Sequence, residues 1–179
     1  ATSAQLGTIT GICMDSSGRI FVSDSNFQKI RMFTLGGNIS TVAGTGTNGY
    51  NGDGMAATSA SLSNPQGVFV DSSNVVYVAE SGRIRRFTVG GNISTIAGTG
   101  SNGYNGEGVA TSFWTAPQGI YVDSTNTVYV AEQFNRIRRF TVGGSTSTIA
   151  GTGSSIYSGG DSGPATQAGL FSPNNFFVD

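Results

Sequence analysis

Ser94-Thr-Ile-Ala-Gly-Thr-Gly-Ser-Asn-Gly-Tyr-Asn-Gly-Glu-Gly108 opens as a short β-rich run and dissolves into a glycine-laden loop. Nearly the same text stands at Ser40–Gly54, Ser-Thr-Val-Ala-Gly-Thr-Gly-Thr-Asn-Gly-Tyr-Asn-Gly-Asp-Gly, and a decayed copy at Ser147–Gly163. Working outward, the flanking text repeats in step. Ile30-Arg31-Met32-Phe33 returns 54 residues on as Ile84-Arg85-Arg86-Phe87, and 53 further on as Ile137-Arg138-Arg139-Phe140. Asn64-Pro65-Gln66-Gly67 returns as Ala116-Pro117-Gln118-Gly119 and, more weakly, as Ser172-Pro173-Asn174-Asn175. Ala1-Thr2 matches Ala57-Thr58, Ala110-Thr111 and Ala165-Thr166, so residues 1–15 correspond to 165–179. A fixed period of this length marks a repeat architecture. The units run approximately over 9–64, 65–116 and 117–172, with 173–179 starting a further one, in a single segment of residues 1–179.

Each unit predicts four short strands. In the second unit these are Gly67–Asp71, Val75–Ala79, Arg83–Val89 and Asn92–Ala97, with β-branched and aromatic residues alternating along them. Asp71-Ser-Ser-Asn74 supplies the first turn, with Asp accepting backbone N–H groups and Asn tolerating a left-handed backbone. Gly90-Gly91, like Gly36-Gly37 and Gly143-Gly144, makes the last hairpin. Four antiparallel strands per repeat predict an all-β fold of propeller blades.

Pro65-Gln-Gly-Val-Phe-Val-Asp71, Val76-Tyr-Val-Ala-Glu80 and Arg83-Ile-Arg-Arg-Phe87 resemble the NHL repeat. The long Ala-Gly-Thr-Gly…Gly-Asp-Gly…Ala-Thr loop resembles the subtype found in many large extracellular or cell-surface chains. The name-giving Asn-His-Leu position departs from the family, reading Gln28-Lys29-Ile30, Gly82-Arg83-Ile84 and Asn135-Arg136-Ile137. The resemblance implies a ring of about six blades, more than the three units here. Either a second copy supplies the rest or the segment belongs to a longer polypeptide. The extra first strand at Phe176–Asp179, which has no place in a ring of two triplets, favours the longer polypeptide.

Composition narrows the function. The 179 residues include 28 glycines, one cysteine (Cys13) and no histidine, and 11% are charged, with a net charge of −1. Without histidine the commonest general base and metal ligand are missing. Without a second cysteine no intrachain disulfide forms. No apolar run is long enough to span a membrane, and no charged-then-apolar leader opens the sequence. The expectation is a protein that does not insert into membranes.

The ten acids occupy three repeat positions. Asp15, Asp71, Asp123 and Asp179 end first strands, Asp24, Glu80 and Glu132 end second strands, and Asp53, Glu107 and Asp161 sit in the glycine loops. Eight of the nine bases lie on third strands, and Arg19 stands apart. A catalytic site needs a convergence of different groups, whereas charges repeated blade by blade read as turn residues and cross-strand partners. No catalytic residue and no cofactor is therefore assigned. The arginines offer a weak case for RNA, because an acid precedes each cluster and the pI is near 5.2. Nucleic acid is not expected as a partner. Asp53, Glu107 and Asp161 are oxygen donors of the kind calcium takes, but each loop supplies one carboxylate, and a structural role for the loops is preferred. Tyr50, Tyr104 and Tyr157 read as blade-to-blade packing, and Trp114 as a larger plug in the Leu62 and Leu170 position.

Two features point outward. Asn38-Ile39-Ser40 and Asn92-Ile93-Ser94 are N-glycosylation sequons at the same corner of successive units, and Ser145 removes the third. The expectation is an extracellular or cell-surface, non-enzymatic scaffold, structural or adhesive, within a filament or surface assembly. Its partners would be copies of itself or further blades, with N-glycans attached. The alternatives are a propeller that binds a protein or glycan ligand, and a lyase- or lactonase-type enzyme whose site lies in further blades.

Overall fold

Runs of β-branched and aromatic residues between Asp-Ser-Ser and Gly-Gly turns form short strands, because such side chains pack well on a pleated surface. The computed structural model describes residues 4–112, 115–155 and 162–174. Its strands are β1 Ile9–Met14, β2 Ile20–Asp24, β3 Lys29–Phe33, β4 Ser40–Ala43, β5 Val68–Val70, β6 Val75–Glu80, β7 Arg83–Thr88, β8 Ser94–Ala97, β9 Pro117–Val122, β10 Thr127–Glu132, β11 Arg136–Thr141 and β12 Ser147–Ala150. They form three four-stranded antiparallel sheets in sequence order, β1 to β4, β5 to β8 and β9 to β12. The fold is all-β and built of propeller blades. Two compact units divide the chain, 1–80 with 84–95 and 81–83 with 96–179, and the division passes through the second sheet.

The first-strand aspartates Asp15, Asp71 and Asp123 are turn residues, and Asp179 lies outside the described residues. Asp71 Oδ1 accepts the N–H groups of Ser73 and Val75, both at 2.9 Å, and its Oδ2 accepts the Tyr77 hydroxyl at 3.0 Å. Asp123 repeats this with Thr125, Thr127 and Tyr129. The Thr125 hydroxyl is the largest influence holding the Asp123 carboxyl below its ordinary range, backed by the two N–H groups and outweighing the effect of burial.

In the first unit one apolar cluster joins Phe21, Ile30 and Val42 of the first sheet to Val68, Val70, Val76, Val78 and Phe87 of the second. Burying each such side chain contributes roughly 1.5–3 kcal/mol. Gly11 lets the sheets approach, since a Cβ there would lie 2.5 Å from the Gln66 carbonyl oxygen. Cys13 packs against the same cluster, and burial pushes its thiol up to about 12.

The glycine loop has a definite backbone. Gly44, Gly98 and Gly151 hold φ of 94°, 86° and 90°, and a Cβ at each would meet a carbonyl oxygen at 2.2 Å, that of Gln28, Gly82 and Asn135 respectively. Only glycine fits that approach. Their N–H groups donate to Ala57, Ala110 and Ala165 at 2.9–3.0 Å, each the first residue of a 3-10 turn.

Some strand ends of the second repeat shift by one residue from the sequence reading, and the start of its fourth strand shifts by two. The fourth strand starts at Ser94, not Asn92. Asn92 forms a β-bridge with Ala56, while Ile93 donates to the Met55 carbonyl and accepts from the Gly54 N–H, both at 2.9 Å. In the second unit Ser145 bridges Val109, and Thr146 donates to Gly108 at 2.7 Å. The residues after each Gly-Gly hairpin thus pair with the incoming glycine loop before the strand begins.

Candidate functional site

The charged groups gather at one repeated place, where the loop acid reaches the middle of the next sheet's third strand. In the first unit Arg85 is fully buried. Its Nη1 lies 3.3 Å from Glu80 Oε1, and its Nη2 donates to Asp53 Oδ1 at 2.9 Å and to the Gly52 carbonyl at 2.8 Å. Ser63 N–H donates to Glu80 Oε2 at 2.9 Å, and Thr95 Oγ1 to Asp53 at 3.1 Å. The Tyr50 ring lies over the guanidinium with its centroid at 4.9 Å.

The second unit repeats the plan with changes. Arg138 Nη2 donates to the Gly106 carbonyl at 2.9 Å, to Thr146 Oγ1 at 2.7 Å and to Glu107 Oε2 at 3.3 Å. Its Nη1 stands 3.8 Å from Glu132 Oε1, which accepts the buried Thr115 hydroxyl at 2.6 Å. Glu132 Oε2 has no hydrogen-bond partner among the described residues. Burial is the dominant influence on Glu132 and pushes its carboxyl up to about 7, against the pull of Thr115 and Arg138. Burial also opposes ionisation of Glu107, but hydrogen bonds from Thr148 and the charge of Arg138 hold it below the usual range. Tyr104 stacks on Arg136 at 3.8 Å and lies 5.3 Å from Arg138.

These two assemblies are latches that hold a glycine loop on its sheet. They place two of the candidate calcium ligands: Asp53 lies in the first unit and Glu107 in the second, each committed to an arginine and a threonine. Asp161 lies outside the described residues, as do Trp114 and Tyr157. Among the described residues no three His, Cys, Asp or Glu side chains gather as a metal site. Glu80 and Glu132 lie beside the buried third-strand arginines Arg85 and Arg138. Tyr50 and Tyr104 pack from their loops onto guanidinium groups of the following sheet's third strand.

Asp24, the counterpart in the first sheet, accepts N–H groups from Gly7 at 3.1 Å and Phe27 at 3.2 Å. Arg31, aligned with Arg85 and Arg138, has its buried Nε without a hydrogen-bond partner among the described residues. Both sequon asparagines, Asn38 and Asn92, have exposed side chains.

Comparison with known proteins agrees with this architecture. A family model described as the teneurin NHL domain matches residues 46–112. Human teneurin-4 is 36% identical over 96 residues, covering 46% of this chain and 4% of the relative. Chicken teneurin-1 is 33% identical over 100 residues, covering 49% and 4%. The chain therefore matches a small fraction of these relatives. Among solved structures, a protein of unknown function from Bacteroides thetaiotaomicron superposes with a TM-score of 0.72 at 18% identity, over 94% of this chain and 42% of that one. A catalytically inactive virginiamycin B lyase from Staphylococcus aureus, solved with quinupristin, gives 0.52 at 20% identity, over 82% and 42%. At such identities the likeness shows the fold alone. Repeated motifs, blade-like sheets and the match over residues 46–112 together make the chain similar to the NHL-repeat β-propellers.

Proposed function

We propose that the chain is a non-enzymatic scaffold of the extracellular space or cell surface, with a structural or adhesive role and N-glycans at Asn38 and Asn92. The observation that carries this reading is the internal commitment of the repeated charges. Arg85 pairs with Glu80 and Asp53, and Arg138 with Glu107 and, at longer range, Glu132, so these charges hold loops and do not converge on a substrate. The function then belongs to the blade surfaces and loop corners, as in other repeat arrays. The teneurin match and the Gly-rich loop subtype support the location, and the exposed sequon corners leave room for a sugar.

Secretion from a eukaryotic host with intact mass measured before and after enzymatic deglycosylation tests the location and the modification together. Loss of glycan mass mapped to Asn38 and Asn92 is expected; an unchanged mass would sink the glycoprotein part. Lactone hydrolysis or streptogramin cleavage by the same purified chain would overturn the non-enzymatic part.

A further inference from the structure

Every Asn-Gly pair of the chain lies in a glycine loop, Asn48-Gly49 and Asn51-Gly52 in the first, Asn102-Gly103 and Asn105-Gly106 in the second. Asparagine is among the chemically labile residues, and a following glycine offers its backbone nitrogen with no Cβ to shield it. In a freely moving chain that nitrogen attacks the asparagine side-chain carbonyl carbon. Asn48 and Asn51 are both exposed to water. What governs their reaction is how the loop holds them.

The first loop ties down both ends of the Asn51 amide. Its Nδ2 donates to the Ser59 carbonyl at 3.1 Å, and its Oδ1 accepts the Ser61 N–H at 2.8 Å. A side chain held at both amide atoms cannot turn freely toward Gly52. The latch fixes Gly52 in turn: its carbonyl accepts Arg85 Nη2 at 2.8 Å, the same nitrogen that holds Asp53 Oδ1 at 2.9 Å. Asn48 is guarded differently. The Gly49 nitrogen donates to the Leu62 carbonyl at 3.0 Å, which engages the nucleophile itself.

From these contacts we propose that Asn51-Gly52 is a site of spontaneous deamidation gated by the first latch, silent while Arg85 holds Gly52 and Asp53 and reactive once the loop opens. A bond forms from the Gly52 nitrogen to Asn51 Cγ, and the Cγ–Nδ2 bond breaks. Ammonia leaves with the two Nδ2 hydrogens and the proton of the Gly52 nitrogen. Water then opens either carbonyl of the cyclic imide, leaving aspartate or isoaspartate. One water is consumed and one ammonia released, with no oxidation or reduction. The change runs one way for the loop as well. The product has no Nδ2 donor for the Ser59 carbonyl, and it adds a negative charge two residues from Asp53. Isoaspartate also lengthens the backbone just before the glycine whose carbonyl meets Arg85. The site is thus a clock on loop opening, and it does not rest on the scaffold reading, since the chemistry needs only water.

Peptide mass mapping of the full folded chain, held in mildly alkaline buffer, is the test, with circular dichroism to confirm folding. Asn51 should deamidate roughly 10-fold or more slowly than in the same chain unfolded in guanidinium chloride, the worth of two modest hydrogen bonds. Asp53→Ala takes the carboxylate from Arg85 and Thr95. It should quicken Asn51 several-fold while Asn102 and Asn105 keep their wild-type rates, whereas general destabilisation would quicken every pair. Thr95→Val, which removes only the hydroxyl bond to Asp53, should act in the same direction to a smaller extent and carries the same test if Asp53→Ala does not fold. Asn51→Asp, standing for one product, should speed hydrogen exchange of residues 44–62 several-fold. A folded rate at Asn51 equal to the unfolded rate would overturn the proposal. So would latch variants that leave Asn51 unchanged or quicken all pairs alike, or an Asn51→Asp loop that exchanges as slowly as wild type.

Discussion

The latch of the first unit and the latch of the second occupy the same repeat positions yet differ in how they satisfy a buried carboxylate. Glu80 receives a backbone N–H from Ser63 and a guanidinium at 3.3 Å. Glu132 receives a hydroxyl from Thr115, its guanidinium stands off at 3.8 Å, and one oxygen has no hydrogen bond among the described residues. At the position of the apolar Ile93 the second unit has Thr146, whose Oγ1 draws Arg138 Nη2 to 2.7 Å. Desolvation of a buried charge is repaid only by close pairing and complete hydrogen bonding. The first latch therefore holds an ion pair, and the second trades part of it for a carboxyl that takes up a proton near neutrality.

The largest effect that would break this comparison is removal of the guanidinium. Arg85→Ala takes the guanidinium from beside the buried Glu80 and is expected to cost about 3–5 kcal/mol, read from denaturant unfolding. Arg138→Ala should cost roughly half as much below pH 7, because Glu132 escapes by protonation. Equal losses would show that the two latches are alike.

Next in size is the pH dependence of the second latch. The folded pKa of Glu132, about 7, lies above its unfolded value, so protonation favours the fold. That stability is fully present below the unfolded pKa and is lost as pH rises through about 7. Glu132→Gln mimics the protonated form and should raise stability above pH 7 by up to about 3 kcal/mol, flattening the profile. A variant whose unfolding midpoint tracks wild type from pH 5 to pH 8, about the range in which histidine-free chains seldom titrate, would remove the distinction.

Smaller still are the stacked tyrosines. Tyr50→Leu and Tyr104→Leu should each cost about 0.5–1 kcal/mol, the worth of a half-exposed cation–π contact. Hydrogen exchange should quicken mainly in the loop that carries the substitution. The smallest expected effect is that of calcium. With Asp53 and Glu107 already bound to arginine and threonine, millimolar calcium should leave the melting temperature unchanged, whereas a rise of several degrees would give the loops a metal-binding role.

Much of the architecture was legible because it rests on local rules. The Asp-Ser-Ser turns, Gly-Gly hairpins and two-residue alternation mark nearly every strand, and repetition averages out the ambiguity of each short run. The start of the fourth strand was misread, because Asn92 and Ile93 look like strand residues but pair with a loop about 40 positions away in sequence. The candidate site was less legible. The acids and arginines were visible as periodic charges, but not the pairing of Asp53 with Arg85 or of Glu107 with Arg138. Their separations, 32 and 31 residues, follow no local rule. The recurrence of a loop acid and an inward-facing third-strand arginine in each repeat was the signal that could have joined them.

Local chemistry thus determined what this chain is made of. Backbone sterics require glycine at Gly44, Gly98 and Gly151, turn geometry favours Asp71 and Asp123, and apolar alternation sets the sheet faces. Tertiary structure alone decided which charges are buried together and why Glu132 differs from Glu80. Those outcomes depend on desolvation and on what packs above a side chain, and neither is encoded in the spacing of residues along the chain.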